Sequence, residues 1–405
     1  MELEVQWAGR HEQRIGRLYQ NDRGAVYFEY DPTWRAGIRE LSPIYLPNAT
    51  QGAVGTPTPG FGELHGLFQD ALPDWWGERL MQRYFEARGI PWNRVTALRK
   101  LACQGNRKMG ALAFLPATDN LDFNDGMVAE LGALVDAARA TLRGGTGEVL
   151  AALLRSGMSP GGAQPKALLA IADDFSEVRL DDPPPSGFGA WLIKFDIEPV
   201  LQEGRIEAAY AAMAREAGIT VPETRWLEAA GACHFLSRRF DRGSNGERLH
   251  LHSYSGLTHT PLRDGLEYAD LMEITRTLTR DHRYVEEVFR RAVFNIVAAN
   301  DDDHGRNHAF LMDAAGDWTL APAFDLTQAT YPLASGFRAA RVNGKASSIH
   351  RNHLIKLGEE HDVKKPADII AQVVDSVSRW NDHAATHDIS PGNAAVVQQQ
   401  HRLPW

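Results

Sequence analysis

An amphipathic helix that runs into three consecutive carboxylates constrains this chain more than any other stretch. Residues 283–299, RYVEEVFRRAVFNIVAA, put Val285, Val288, Phe289, Ala292, Val293, Ile296 and Val297 on one helical face. That helix delivers Asp301, Asp302 and Asp303 at its end. Residues 309–312 then read as a strand, 313–317 as a turn and 318–320 as a returning strand. Asp325 follows the hairpin, set among Ala323, Phe324 and Leu326. Three adjacent carboxylates repel one another unless cations are close. A solvated acidic turn would also accommodate them, but the apolar flanks and the spaced Asn307 and Asp325 argue for a loop buried between ordered elements.

The spacing suits phosphoryl transfer. That chemistry needs a carboxylate beside the attacking hydroxyl, to orient it and accept its proton, and an amide and a second carboxylate to hold magnesium against the phosphates. Four residues separate Asp302 from Asn307, as they separate the catalytic Asp from the metal-binding Asn of protein kinases. Asp325 then stands where the second metal-binding carboxylate is needed. A zinc site on His304 and His308 is disfavoured: the H-E-x-x-H glutamate is missing and Gly305 interrupts the helix such a site requires.

A chain of 405 residues implies two or three domains or one large two-lobed enzyme. With 52 acidic and 43 basic residues its net charge is −9, which argues against the whole surface being a nucleic-acid platform. Cys103 and Cys233 form no metal or redox motif and read as reduced thiols. The start, MELEVQWAGRHEQ, has no apolar core of a signal peptide, and no apolar run reaches membrane-spanning length, so a cytoplasmic location without membrane contact is expected.

Taken in order, residues 3–30 alternate as three strands of a small antiparallel sheet. Residues 61–84 read as a loop and then a helix capped by Asp74. Trp75 and Trp76 at its start suit packing anchors or a binding surface. A short helix precedes an apolar strand over 109–115, and 129–142 is an amphipathic helix. The glycines of 144–147 mark a boundary, giving segments 1–145, 146–245 and 246–405. In SGMSPGGAQPKALLAI, Gly161 and Gly162 allow backbone N–H groups to face phosphate oxygens before a strand over 167–172. With no Ser or Thr after Lys166 this is not a P-loop. Lys194 interrupts the apolar strand AWLIKFD; it is either turned outward or paired with a phosphate. Glu207, near the start of the helix over 205–217, can pair with it. The segment 234–241, HFLSRRFD, reads as a strand and hinge where backbone groups would meet an adenine ring.

Together these pieces resemble the HipA family of serine/threonine kinases, the toxin halves of bacterial toxin–antitoxin pairs. FEYDPTW, LPDWWGERLMQR, SPGGAQPK, WLIKF, GITVPE, SRRFDR, NDDDHGRN and LAPAFDLT carry the likeness along most of the chain. The resemblance implies an α+β, two-lobed protein-kinase-like fold. It implies Asp302 as the catalytic aspartate and Asn307 and Asp325 as Mg2+ ligands. Lys194 with Glu207, the loop Gly161, Gly162, Ala163 and Gln164, the hinge Arg238, Arg239 and Phe240, and His304 form the implied ATP-binding set. Ser159 matches the loop serine whose autophosphorylation accompanies inactivation. It further implies a protein substrate, commonly an aminoacyl-tRNA synthetase, and a helix-turn-helix, HipB-like antitoxin through which any DNA contact is made. A small-molecule kinase of related fold, or a silent corepressor acting through its antitoxin, would be the alternatives.

Overall fold

The structure, a computed structural model, describes residues 1–9, 12–56, 58, 61–116, 130–144, 153–154, 164–243, 247–329 and 338–403. Strands β1 (Glu2–Trp7), β2 (Gln13–Gln20), β3 (Val26–Tyr30) and β4 (Leu112–Leu115) form an antiparallel sheet in the order β3-β2-β1-β4. Alternation decides its inner face: Leu3, Val5 and Trp7 of β1 point inward with Ile15, Leu18, Phe28 and Phe114.

A second sheet holds β5 (Lys166–Ala172), β6 (Val178–Arg179), β7 (Phe188–Lys194), β8 (Thr224–Ala229) and β9 (Ala232–Arg238) in the order β6-β5-β7-β9-β8. Its two faces have different partners. Ala167, Leu169, Ile171, Trp191, Ile193 and Leu236 pack on one side against Trp76, Leu80, Leu134 and Val135 of the helices Trp75–Glu86 and Leu131–Leu142. The intervening residues, Lys166, Leu192, Lys194, Phe235 and Ser237, therefore line a cleft on the opposite side. The register puts Lys166 directly opposite Lys194, and Lys194 opposite Phe235.

The far wall of the cleft is the C-terminal lobe. Strands β10 (His250–Ser253), β12 (Ala309–Met312) and β13 (Trp318–Leu320) form a three-stranded sheet, and β11 (Leu266–Glu267) pairs in parallel with β14 (Ala340–Arg341). The helix His282–Val297 buries Val285, Val288, Phe289, Ala292, Val293, Ile296 and Val297, the face its periodicity predicts. It packs among Tyr268–Thr279, Arg351–Glu360 and Pro366–Ser378, and this core continues into the N-terminal sheet.

The N-terminal residues thus serve both lobes. Asp74 caps the helix Trp75–Glu86 by accepting from the Gly77 N–H at 2.7 Å. Trp76 is buried and donates from its indole N–H to the Lys166 carbonyl at 3.0 Å. Trp75 is 49% exposed. Of the pair, Trp76 is the packing anchor. The strand expected over 109–115 begins only at Leu112. Gly110 turns the chain at φ +83° and its N–H donates to Asp241 Oδ2 at 2.7 Å, so Met109 leaves the sheet and faces the cleft.

Candidate active site

The cleft gathers Lys194, Glu207, Arg306, Asn307, Phe324 and Asp325 from four separate elements. Lys194 lies between two carboxylates. Its Nζ is 2.5 Å from Glu207 Oε1, on the helix Glu203–Glu216, and it also pairs with Asp325 Oδ1. Burial alone would favour a neutral lysine, but Asp325 and then Glu207 hold its proton more firmly than usual. Burial would likewise raise Asp325, yet Lys194 and then Lys166 keep it well below the ordinary carboxylate range. For Glu207, burial prevails over Lys194 and its affinity for a proton goes up. The expected lysine–glutamate pair is present, and the outward-facing alternative for Lys194 is excluded.

Asp325 sits at φ +58°, in the left-handed region. Asp tolerates that conformation better than most residues, and such backbone clusters at functional sites.

The three consecutive aspartates have three different fates. Asp301 is gripped through both oxygens by Arg402, at 2.9 and 2.6 Å. Asp303 is buried and accepts from Tyr268 Oη at 2.6 Å, from the Ala340 N–H at 3.1 Å and from Arg338. Asp302 keeps 35% of its side chain exposed. The repulsion expected of three adjacent carboxylates is relieved by two arginines on the flanking pair, and the middle one is the most exposed of the three.

Asn307 adjoins Asp302 directly: its Nδ2 donates to the Asp302 carbonyl at 2.9 Å. That bond sets the amide so that its oxygen faces away from the Asp302 carbonyl. The amide oxygen and the Asp325 carboxylate are hard oxygen donors lining one cleft, the donor chemistry that Mg2+ takes. The residues therefore fit the ion. Among the described residues no cluster of three His, Cys, Asp or Glu side chains could hold a metal, so the zinc alternative at His304 and His308 has no support.

The other expected residues are distributed as follows. Arg238 is exposed, with its guanidinium 5.4 Å from the Trp191 ring, and Phe240 packs on Phe324 at 5.6 Å; both line the cleft. Arg239 also borders it, but its guanidinium turns into a buried network, donating to Asp241 at 3.0 and 2.9 Å and to Asp182 at 3.3 Å. His304 stands 3.8 Å from Asp302 and outside the cleft lining. Gln164 donates to Glu203 at 3.3 Å and is also outside it. Ser159, Gly161, Gly162 and Ala163 lie outside the described residues.

Sequence reasoning missed several residues of the cleft, among them Lys166, Lys108 and Met109. Lys166 carried a signal: it opens a strand of otherwise apolar residues, as Lys194 closes one. Another constellation, Ser42–His252–Asp70, has the shape of a nucleophilic triad. His252 Nε2 is 3.1 Å from Ser42 Oγ and His252 Nδ1 is 2.7 Å from Asp70 Oδ2. Ser42 is only 1% exposed and does not line the cleft, so this chain of bonds joins the N-terminal residues to β10.

Two lobes around a charged cleft, with Asn307 and Asp325 on one wall and Lys194 on the other, define a protein-kinase-like architecture. The chain belongs to the HipA family: the HipA-like C-terminal domain matches residues 158–381 and the HipA N-terminal domain matches residues 7–115. The HipA toxin–antitoxin structure of Shewanella oneidensis MR-1, solved with HipB and operator DNA, matches with a TM-score of 0.69 at 18% identity, covering 98% of this chain and 95% of that one. "Putative kinase Y4mE" of Sinorhizobium fredii is 27% identical across 85% of this chain and 81% of its own length. A "Putative kinase" of Haemophilus influenzae is 28% identical across 44% of this chain; that match spans 55% of the relative.

Proposed function

We propose that this protein is an ATP-dependent, magnesium-requiring serine/threonine kinase of the HipA toxin type. The observation that carries this reading is the convergence of Lys194, Glu207, Asn307 and Asp325 on one cleft with Asp302 beside it. Bound Mg2+ would offset phosphate charge during transfer. Asn307 and Asp325 hold the ion, and Lys194, fixed by Glu207, steadies the phosphates. Asp302 orients the acceptor hydroxyl and takes its proton, helped by its partial exposure. Phe235, Phe240 and Phe324 offer the apolar surface an adenine ring needs.

The acceptor is a serine or threonine of a host protein in the cytoplasm, an aminoacyl-tRNA synthetase being the class the family resemblance favours. Ser159 is the expected site of self-modification. A HipB-like helix-turn-helix antitoxin neutralises the kinase and makes the DNA contact, which suits a chain of net charge −9.

The test is incubation with labelled ATP, Mg2+ and host lysate. Wild-type protein should label a discrete protein that Asp302→Asn leaves unlabelled. Equal labelling by that variant, or label found only on metabolites, would overturn the reading.

A further inference from the structure

The helix His282–Val297 delivers the acidic run, yet it is not closed by its own chain neighbours alone. The last carbonyls of a helix have no partner within it. Here they are met from far along the sequence. The Val297 carbonyl accepts from the Arg402 N–H at 2.9 Å and the Ile296 carbonyl from Arg402 Nη1 at 3.0 Å. The Ala298 carbonyl accepts from Tyr210 Oη at 2.7 Å. Ala299 then turns the chain at φ +56°, in the conformation with which glycine usually ends a helix. The same Arg402 guanidinium spans both oxygens of Asp301. One cation thus offsets the negative end of the helix and the first carboxylate of the run.

His401 seats Arg402. It is buried, with its ring 6.0 Å from that of Tyr210 and 5.5 Å from that of Trp380. The single proton of the Tyr210 hydroxyl goes to the Ala298 carbonyl, so His401 Nε2 donates to Tyr210 Oη at 3.0 Å. Tyr210 follows Glu207 by one turn on the helix Glu203–Glu216. The helix Pro391–Gln398, which leads into His401, is moored beside the start of that helix: the Ser390 N–H donates to Gln202 Oε1 at 2.8 Å and Asn393 Nδ2 to the Val200 carbonyl at 2.9 Å. Residues 401–402 therefore join the helix of Glu207 to the loop of Asp302. They lie beyond the residues 158–381 that match the HipA-like C-terminal domain.

We propose that Arg402, seated by His401, is a positioning residue for phosphoryl transfer that holds Asp302 in place through Asp301. This rests on the kinase reading above and extends it to a segment outside the expected site. Without the guanidinium, Asp301 keeps only Arg338, which is 4.0 Å away and already committed to Asp303. Its carboxylate then faces the negative end of the helix and two neighbouring carboxylates, and the loop relaxes away from both. A shift of about 1 Å at Asp302 is enough to slow transfer about 10²-fold. Nucleotide held by Lys194 and the apolar wall of the cleft does not sense the change, so the loss falls on turnover rather than on ATP binding.

The experiment compares the full chain with Arg402→Ala and Arg402→Lys. Initial rates of label transfer from ATP and Mg2+ to host lysate are read over a range of ATP concentrations, with and without low-millimolar guanidinium chloride, and Tm is followed alongside. Arg402→Ala should lower the maximal rate about 10²-fold, while the ATP concentration at half-maximal rate stays within about twofold of wild type. Guanidinium should restore part of that rate, because the Arg402 side chain is 39% exposed and its removal leaves a site open to solvent. It should restore nothing in Asp302→Asn. Arg402→Lys should stay faster than Arg402→Ala and slower than wild type, since an ammonium meets Asp301 without spanning both oxygens. Contacts that only add stability predict otherwise: a wild-type maximal rate in Arg402→Ala, or a loss that neither guanidinium nor lysine relieves, and either result overturns the proposal. Should Arg402→Ala not fold, Arg402→Lys decides alone, by a lower maximal rate at unchanged half-saturation or by the wild-type rate. If wild type itself transfers no label, the kinase reading fails and this inference with it. If wild type transfers label and Arg402→Ala matches it, this inference alone fails.

Discussion

Two clusters of buried charge flank the same cleft, and they are built from different cations. Along its N-terminal border Arg239, Arg242 and Arg248 enclose Asp182 and Asp241. Their remaining donors go to backbone carbonyls: Arg239 and Arg242 both reach Lys108 O, at 3.2 and 3.0 Å, and Arg248 reaches Asn106 O at 2.7 Å. Within the cleft two buried lysines rest on carboxylates, Lys194 on Glu207 and Asp325 and Lys166 on Asp74. A guanidinium spreads five donors over a fixed fork and locks what it touches, while an ammonium can change partner without rebuilding its surroundings. The arginine cluster therefore fixes the walls, and under the proposed function the lysines are the cations that would exchange a carboxylate for a ligand oxygen. The acidic run repeats the division at smaller scale: arginines immobilise Asp301 and Asp303, and Asp302 between them stays partly exposed.

The largest effect that tests this division falls on Asp302. Asp302→Asn should lower phosphoryl transfer by about 10²–10⁴-fold and leave Tm close to wild type. Asp303→Asn should do the reverse in stability, because Arg338 and Tyr268 lose a charged partner inside the protein. Thermal unfolding of the two variants side by side decides it; a fall in Tm for Asp302→Asn equal to that for Asp303→Asn would erase the distinction.

Next come the clusters themselves. Asp241→Ala leaves Arg239, Arg242 and Arg248 to share the single carboxylate of Asp182 and should cost about 3–5 kcal/mol in urea unfolding. Glu207→Gln should cost less, about 1–2 kcal/mol, because Lys194 keeps Asp325, but should slow transfer about 10²-fold through a misplaced lysine. Acid sharpens the contrast. Burial alone would raise Asp241, yet Arg239 and Arg242 hold it down at about 2. Its contribution is therefore present above the usual carboxylate range and disappears as the pH falls through that value. The stability gap between wild type and Asp241→Ala should close as the pH is lowered; a gap that persists below it would mean that the loss comes from packing.

Lys108 lies where the two clusters meet and titrates in the opposite sense. Burial lowers it from 10.5 to about 7, against the pull of Asp70 and Asp241. The unfolded chain keeps that proton over a pH range in which the folded chain has released it, so stability rises with pH across the interval. Lys108→Met should raise Tm at and below neutral pH by about 2–4 °C, and the gain should fade as the pH approaches the ordinary lysine value. A gain independent of pH would assign the effect to shape.

How much of this was legible in the sequence depends on how far each interaction reaches. The helix His282–Val297, the hairpin of β12 and β13 and the Asp74 cap are set by neighbouring residues, and periodicity, turn chemistry and capping revealed them. The choice among Asp301, Asp302 and Asp303 is made by Arg338 and Arg402, far along the chain, and no local pattern carries it. Arg239, in the segment read as a hinge, borders the cleft, but its guanidinium is shared by Asp241, two residues on, and by Asp182, which no spacing ties to it. The Lys166–Asp74 pair escaped notice for the same reason, each half belonging to a different domain.

The smallest expected effect concerns Ser42. Its hydrogen bond to His252, and that of His252 to Asp70, have the connectivity of a hydrolase triad inside a kinase-like protein. Geometry of this kind performs chemistry only where a substrate can reach the nucleophile. Ser42 is sealed, and Asp70 is already engaged by the Ser253 N–H and Oγ, both at 2.7 Å. These bonds therefore do the work of the arginine cluster without a guanidinium, through the Asp70 carboxylate, tying the N-terminal residues to β10. Ser42→Ala removes one neutral hydrogen bond and should cost about 1 kcal/mol. Labelled phosphate transfer should be unchanged, and no ester hydrolysis should be lost because none should be present in wild type. A fall in transfer without a fall in Tm would show that this side of the protein communicates with the cleft through His252, and the line drawn between fixed walls and an exchangeable site would have to move.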